Sequence, residues 1–209
     1  MDKRYAIFDM DGTLVDSMRY WKHLAEEYLN RKGIYDIPAS ILQQIKPMTM
    51  TESAALFIDV FHLDGTSEDI AAEMNALMDT HYCEDIPLKE GVSEYLQALH
   101  DAGTKMCVAS ATAVPLMEAC LNRLGIREYF SFLLSCETVG AGKHKPDIYY
   151  MAANMLYAEP EEIAVYEDAL YAAKTAKAAG FYVIGVYDES SADCFEELKN
   201  ISDEIIETW

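Results

Sequence analysis

Five short apolar runs constrain this chain more than any other feature: YAIF at 5–8, MCVAS at 106–110, FLLSC at 132–136, IAVYE at 163–167 and YVIGVY at 182–187. Each has the length of a strand, is rich in Val, Ile and aromatic residues, and is apolar without a break instead of at alternate positions. A strand with one wet face alternates; a strand covered on both faces does not, and such strands belong to parallel sheets. Amphipathic segments separate the runs. The segment 114–124 carries Pro115 in its first turn and stops at Gly125, while 147–157 and 169–179 behave similarly, the latter closed by Gly180. Strand and helix in alternation predict an α/β fold, a doubly wound parallel sheet with helices on both faces.

Between residues 16 and 89 the alternation stops. No strand is expected there, only successive helices at 17–32, 39–45, 51–62 and 67–82, with Gly33 ending the first and Ser67 offering an N-cap to the last. His62-Leu63-Asp64-Gly65 reads as a turn. The chain returns at Glu90-Gly91 to a helix over 92–102. The expected organisation is a Rossmann-like core of residues 1–15 and 90–209, with an all-helical cap of residues 16–89 inserted after the first strand.

Charge excludes several functions. With 16 Lys+Arg against 36 Asp+Glu, the formal net charge is −20, which repels nucleic acid and anionic membrane surfaces alike. A site for a small anionic substrate must therefore carry its own local positive charge. The five cysteines (Cys83, Cys107, Cys120, Cys136, Cys194) are scattered and show no C-x-x-C spacing, as expected of free thiols in a reducing compartment. No signal-peptide pattern or membrane-length apolar run is visible, so a cytoplasmic location is expected, and a monomer by default.

Ligands in open α/β sheets bind beyond the carboxyl ends of the strands. The polar residues at those ends are Asp9 and Asp11 after the first run, Ser110 within VASAT, and Glu167 with Asp168 after IAVY; Lys143 lies in the loop GAGKHKPD. Clustered carboxylates call for a divalent cation, and all-oxygen ligands favour Mg2+. A hydroxyl, a lysine and a helix N-terminus suit a phosphate group. Together they imply metal-assisted phosphoryl transfer, in which Asp9 attacks phosphorus and forms an aspartyl-phosphate. Asp11 then protonates the leaving oxygen and later takes a proton from the hydrolytic water. Gly12 allows a tight backbone path beside the ligand, and Thr13 either anchors that loop or donates a hydrogen bond.

These residues resemble the four motifs of the haloacid dehalogenase superfamily, in its phosphatase and phosphomutase branch with a helical cap. Asp9-Met10-Asp11-Gly12-Thr13, Ser110 in Ala109-Ser110-Ala111-Thr112, Gly142-Lys143-His144-Lys145-Pro146-Asp147, and Glu167-Asp168 stand in the family's order. The resemblance covers nearly the whole core. It implies a phosphatase acting on a small phosphorylated metabolite such as a sugar phosphate, with a cap that excludes water and selects the leaving group. It also implies Mg2+ held by the carboxylates of Asp9 and Asp168 and the backbone carbonyl of Asp11, Ser110 and Lys143 on the phosphate, and Glu167 on the metal directly, through water, or not at all.

Other readings compete. Asp9 and Asp11 could serve only a turn, Lys145 rivals Lys143, and Asp168 could cap the helix that begins at Ala169. Arg19, Tyr20, Trp21 and His23 stand on the first turns of a helix that could face the cleft, but Trp21, at helical spacing with Leu24 and Tyr28, reads rather as core; Lys46, Met48 and Met50 either face a substrate or pack between helices; the acidic stretch 193–207 reads as a solvated face. A β-phosphoglucomutase-like enzyme shares the Asp pair, but where those relatives carry an arginine, a histidine and a valine, this chain has Met50, Trp21 and Thr13. A non-enzymatic phospho-acceptor of the receiver type would not explain the helical insertion, and a dehalogenase would not keep Asp11.

Overall fold

The computed structural model describes residues 3–45, 48 and 50–209; Lys46, one of the candidate substrate-facing residues, lies outside them. Among the described residues one sheet is formed, from β1 (Tyr5–Phe8), β2 (Lys105–Ser110), β3 (Phe130–Ser135), β4 (Ile163–Glu167), β5 (Tyr182–Val186) and β6 (Glu204–Ile206). Every neighbouring pair is parallel and the order is β3-β2-β1-β4-β5-β6. The helices are α1 (Met18–Arg31), α2 (Ala39–Ile45), α3 (Met50–Phe61), α4 (Ser67–Glu84), α5 (Val92–Asp101), α6 (Val114–Arg123), α7 (Cys136–Val139), α8 (Asp147–Leu156), α9 (Leu170–Ala178) and α10 (Phe195–Ile201). This is the expected α/β fold, with α1–α4 inserted between β1 and β2. The chain divides into two compact units: one runs up to Met18 and resumes at Ile86, the other is Arg19–Asp85.

In the sheet-bearing unit, the uninterrupted apolar runs are buried on both faces as their composition demands. On one face Ile7, Cys107, Ala109, Val165 and Val183 pack with Ile148 and Ala152 of α8, Ala173 and Ala176 of α9, and Phe195 and Leu198 of α10. On the other, Phe8 stacks on Tyr166, its register partner across the β1–β4 ladder, with ring centroids 4.1 Å apart. Trp209 stacks beyond Tyr166, and Tyr95 of α5 meets Trp209 edge-on at 5.0 Å while its hydroxyl lies 3.0 Å from that of Tyr166. Buried aromatic contacts of this kind contribute about 0.5–1.5 kcal/mol per pair beyond the area they cover.

Three expectations need correction in this unit. The stretch 193–207 is a solvated face only in part: its acidic residues are exposed, but α10 buries Phe195 and Leu198, three positions apart, and Glu204–Ile206 forms the edge strand β6. The high acidic count hid those apolar anchors, and β6 is too short to show a period. Cys136 opens α7 instead of closing β3, because Ser135 turns the chain by accepting from the Glu137 backbone N–H at 3.0 Å. Asp168 makes no side-chain cap on α9, whose N-cap is Ala169.

The Arg19–Asp85 unit is a helical assembly held by apolar stripes. Leu24, Ala25, Tyr28 and Leu29 are the buried residues of α1, Ala54 and Phe57 of α3, and Ile70, Met74, Leu77 and Met78 of α4 are buried as well. The N-cap of α4 is Thr66, one residue earlier than expected, in a reciprocal capping box with Asp69. Trp21 is not a core residue. It is 36% exposed and donates its indole N–H to the Tyr82 hydroxyl at 3.1 Å, while its helical neighbours Leu24 and Tyr28 are buried. His81 lies between two carboxylates, Nε2 2.8 Å from Glu27 of α1 and Nδ1 2.7 Å from Asp85. No helix among the described residues is long and apolar enough to cross a membrane.

Candidate active site

The strand order changes direction between β1 and β4, and at such a switch point the connections on either side leave a crevice at the carboxyl ends. Asp9 follows β1 directly, with its backbone N–H still donating to Tyr166 O of β4 at 3.0 Å. Glu167 is the last residue of β4 and Asp168 the next one, and Ser110 ends β2. After Asp9 the chain turns tightly, with Leu14 and Val15 N–H both donating to Met10 O and Gly12 N–H to Val15 O. Gly12 has φ +80°, and a Cβ there would lie 2.6 Å from Asp168 Oδ2. The glycine is what lets the Asp168 carboxylate reach the first loop.

Lys143 sits at the centre. It is 5% exposed, whereas its rival Lys145 two residues on is exposed. Its ammonium donates to Asp9 Oδ1 and, at 2.7 Å, to Glu167 Oε1. The Tyr149 hydroxyl of α8 donates to the same Glu167 oxygen at 2.7 Å. Burial alone would push the Lys143 ammonium down, but Asp9 and Glu167 beside it more than offset this and hold it above the usual lysine range.

The carboxylates outnumber that one ammonium. Asp9, Glu167 and Asp168 are all buried, and one oxygen from each lies within 4.8 Å of the others. Burial raises the Asp9 carboxyl well above the ordinary range; Lys143 opposes the shift, and Glu167, Asp168 and Asp11 add to it. Burial, then the charges of Glu167 and Asp188, push Asp168 up to about 7, although Thr13 donates to its Oδ1 at 3.1 Å. Glu167 Oε2 is buried with no hydrogen-bond partner among the described residues. A buried oxygen without a partner and carboxylates that resist ionisation are surroundings that a bound positive charge would satisfy. Three convergent hard oxygen donors fit a divalent cation such as Mg2+.

Asp11 stands in a different setting. Its Oδ1 accepts from Ser17 Oγ at 2.7 Å, and its Oδ2 accepts from Thr112 Oγ1 at 2.6 Å and from Ser110 Oγ at 3.3 Å. Ser110 Oγ in turn accepts from the Thr112 backbone N–H at 3.1 Å. Two aspartates two residues apart are thus held by unlike partners, one by an ammonium and the other by hydroxyls.

The sequence profile of the haloacid dehalogenase-like hydrolases matches residues 3–180. The chain belongs to that family. Among curated relatives of the hydrolase, the fructose-1-phosphate phosphatase YqaB of Escherichia coli is 30% identical over 192 residues, covering 89% of this chain and 98% of that protein. Hexitol phosphatase A of the same bacterium is 31% identical over 183 residues, covering 86% and 81%. A crystal structure from Thermotoga maritima, described as a candidate β-phosphoglucomutase, has the same fold with a TM-score of 0.82 at 22% identity, covering 97% of this chain and 94% of that one.

The structure brings all seven candidate residues of the hydrolase (Asp9, Asp11, Thr13, Ser110, Lys143, Glu167, Asp168) to one end of the sheet. The site also contains three that sequence reasoning missed. Thr112 carried a signal, a second hydroxyl two residues after Ser110. Ser17 read only as the first position of the first expected helix of the insertion. Tyr149 read as one more apolar position on an amphipathic helix, and only the fold places its hydroxyl against Glu167.

Proposed function

We propose that this hydrolase is a Mg2+-dependent phosphatase of a small sugar or polyol phosphate, working through an aspartyl-phosphate on Asp9. The observation that carries the reading is the contrast between its two aspartates, since unlike surroundings for paired carboxyl groups assign unlike roles. An Asp9 oxygen attacks phosphorus while the bond to the leaving alcohol oxygen breaks. Asp11, among the hydroxyls of Ser17, Ser110 and Thr112, gives that oxygen a proton. In the second half, Asp11 takes a proton from water as the water attacks the aspartyl-phosphate, releasing inorganic phosphate and restoring both carboxyl groups. Lys143 and Ser110 bind the phosphoryl oxygens. Asp9, Asp168 and Glu167, with the Asp11 carbonyl, are the groups that would hold the cation, which offsets the repulsion between an anionic nucleophile and an anionic substrate. The named activities of the two Escherichia coli relatives support hexose and hexitol phosphates as the substrate class. Five free thiols are in keeping with a cytoplasmic setting.

The test is a panel of phosphomonoesters with Mg2+ and an inorganic-phosphate readout, including fructose 1-phosphate, hexitol phosphates and β-glucose 1-phosphate. Phosphate release from a hexose or hexitol phosphate is expected, with Asp9→Asn losing at least roughly 10³-fold in kcat. Unchanged turnover in Asp9→Asn overturns the nucleophile. Isomerised product from glucose 1-phosphate appearing faster than phosphate makes the enzyme a mutase instead.

A further inference from the structure

Glu167 is bound in a lopsided way. Its Oε1 accepts two short hydrogen bonds, from Lys143 and Tyr149, while its Oε2 is buried with no partner among the described residues. A phenol has one proton to donate. At 2.7 Å that proton goes to Glu167, and the 3.5 Å separation from Ala172 O is too long to compete for it. The Tyr149 ring cannot relax away. It is fully buried and packs against Phe181 at 6.0 Å, and it stands on α8, the helix that begins just after the Lys143 loop.

We propose that Tyr149 is a positioning residue for the cation. Its hydroxyl pins Oε1 of Glu167, so that the partnerless Oε2 is the oxygen left to take the cation with Asp9 and Asp168. The reason a second anchor is needed lies in Lys143. That ammonium is shared between Glu167 and Asp9, and on the reading above, upon which this inference rests, it also serves an arriving phosphate. A lysine with three donors and a flexible stem redistributes them as its surroundings change. Tyr149 has no such second duty, so Glu167 keeps its orientation whatever Lys143 is bound to. Groups that fix a metal-binding carboxylate from behind typically alter affinity by about 10–100-fold when removed.

The experiment measures Mn2+ binding to the full-length, substrate-free protein, by the EPR signal of free Mn2+, in four proteins: wild type, Tyr149→Phe, Glu167→Gln and the double variant. Tyr149→Phe removes one oxygen and keeps the ring, so circular dichroism should be unchanged, and its Mn2+ affinity should fall roughly tenfold. Glu167→Gln should weaken binding on its own, and adding Tyr149→Phe to it should cost less than twofold more, because the hydroxyl acts only through that carboxylate. Equal affinity of Tyr149→Phe and wild type, or losses that simply multiply in the double variant, overturns the proposal. Wild-type protein that binds no Mn2+ at millimolar concentration overturns both this proposal and the metal-dependent reading. Intact Mn2+ coupling in a protein that releases no phosphate from any ester leaves Tyr149 in its role and removes only the phosphatase.

Discussion

Thr112 Oγ1 lies 2.6 Å from Asp11 Oδ2, and Ser17 Oγ lies 2.7 Å from Asp11 Oδ1, so both oxygens of the proposed acid–base residue are gripped at once. The shorter of the two grips comes from the residue most easily overlooked. Removing it in Thr112→Val keeps the shape and deletes the donor. In steady-state assays kcat should fall about tenfold with Mn2+ affinity unchanged, and Thr112→Ser should recover most of the loss. A Thr112→Val enzyme with wild-type kcat would mean that Ser17 and Ser110 suffice.

The crowded carboxylates make a prediction about stability. Asp168 is pushed up to about 7 by burial and by Glu167 and Asp188. A carboxyl group raised on folding favours the folded state while it is protonated. That contribution is complete below its unfolded value near 4 and is lost as pH rises through about 7. Metal-free protein should therefore lose stability over this interval. At pH 8 metal-free Asp168→Asn should be more stable than wild type by on the order of 2–4 kcal/mol in denaturant melts. Mg2+ should raise the thermal midpoint of the wild type and leave that of Asp168→Asn nearly unmoved. A variant no more stable than wild type without metal would show that the repulsion is relieved in some other way.

Gly12→Ala sets two costs against each other at one atom. The φ of +80° disfavours any L side chain, by about 1–2 kcal/mol, and the new methyl would lie 2.6 Å from Asp168 Oδ2. The carboxylate must move. Mn2+ affinity should drop at least about tenfold while the melting temperature falls by only a few degrees. Loss of stability without loss of Mn2+ affinity would show that Asp168 can shift without leaving the cation.

His81 supplies a pH dependence of the opposite chemical origin. Burial alone would lower its imidazolium, but Asp85 and Glu27 on its two ring nitrogens overcome this and hold it above the usual histidine value, with the Tyr20 ring 4.8 Å away. A base whose pKa is raised on folding stabilises the fold fully below its unfolded value of about 6.5, and the gain disappears as pH rises through the folded value. Stability of the wild type should fall with a slope of up to about 1.4 kcal/mol per pH unit across that window, beyond the contribution of other groups. His81→Gln should flatten that component of the profile, and an NMR titration of the His81 ring protons should give a midpoint above 6.5. A midpoint at or below 6.5 would contradict the clasp.

How far the sequence could be read depended on the kind of signal each feature leaves. Strands buried on both faces write themselves as unbroken apolar runs, which is why β1, β2, β4 and β5 were legible to within a residue or so. The edge strand β6 was not, since Glu204–Ile206 is three residues long and carries a charge. The helices of the insertion were readable from their stops, yet Trp21 was misjudged, because helical spacing with Leu24 and Tyr28 does not say on which edge of the apolar stripe a residue falls. The candidate residues at strand ends were named because topology makes those ends chemically special. Thr112 and Tyr149 were not named because their contacts are with side chains brought near from elsewhere in the chain, Asp11 in one case and Glu167 in the other.

The sheet order that places the site also dictates when it can exist. β1 is the central strand and the first to be made, but its neighbours β2 and β4 lie beyond the whole helical insertion. The bonds that close the site bridge 134 positions between Lys143 and Asp9 and 155 between Thr13 and Asp168. Pairings so remote along the chain make folding slow, because loop entropy is spent before the contacts return it. During synthesis, β1 must wait as an unpaired apolar segment until β2 emerges, and the acidic rim of the site is not assembled until β4 docks beside it. The helical insertion, whatever else it contributes, lengthens that wait, and the nascent chain is most exposed to misassociation in the interval between its first strand and its second.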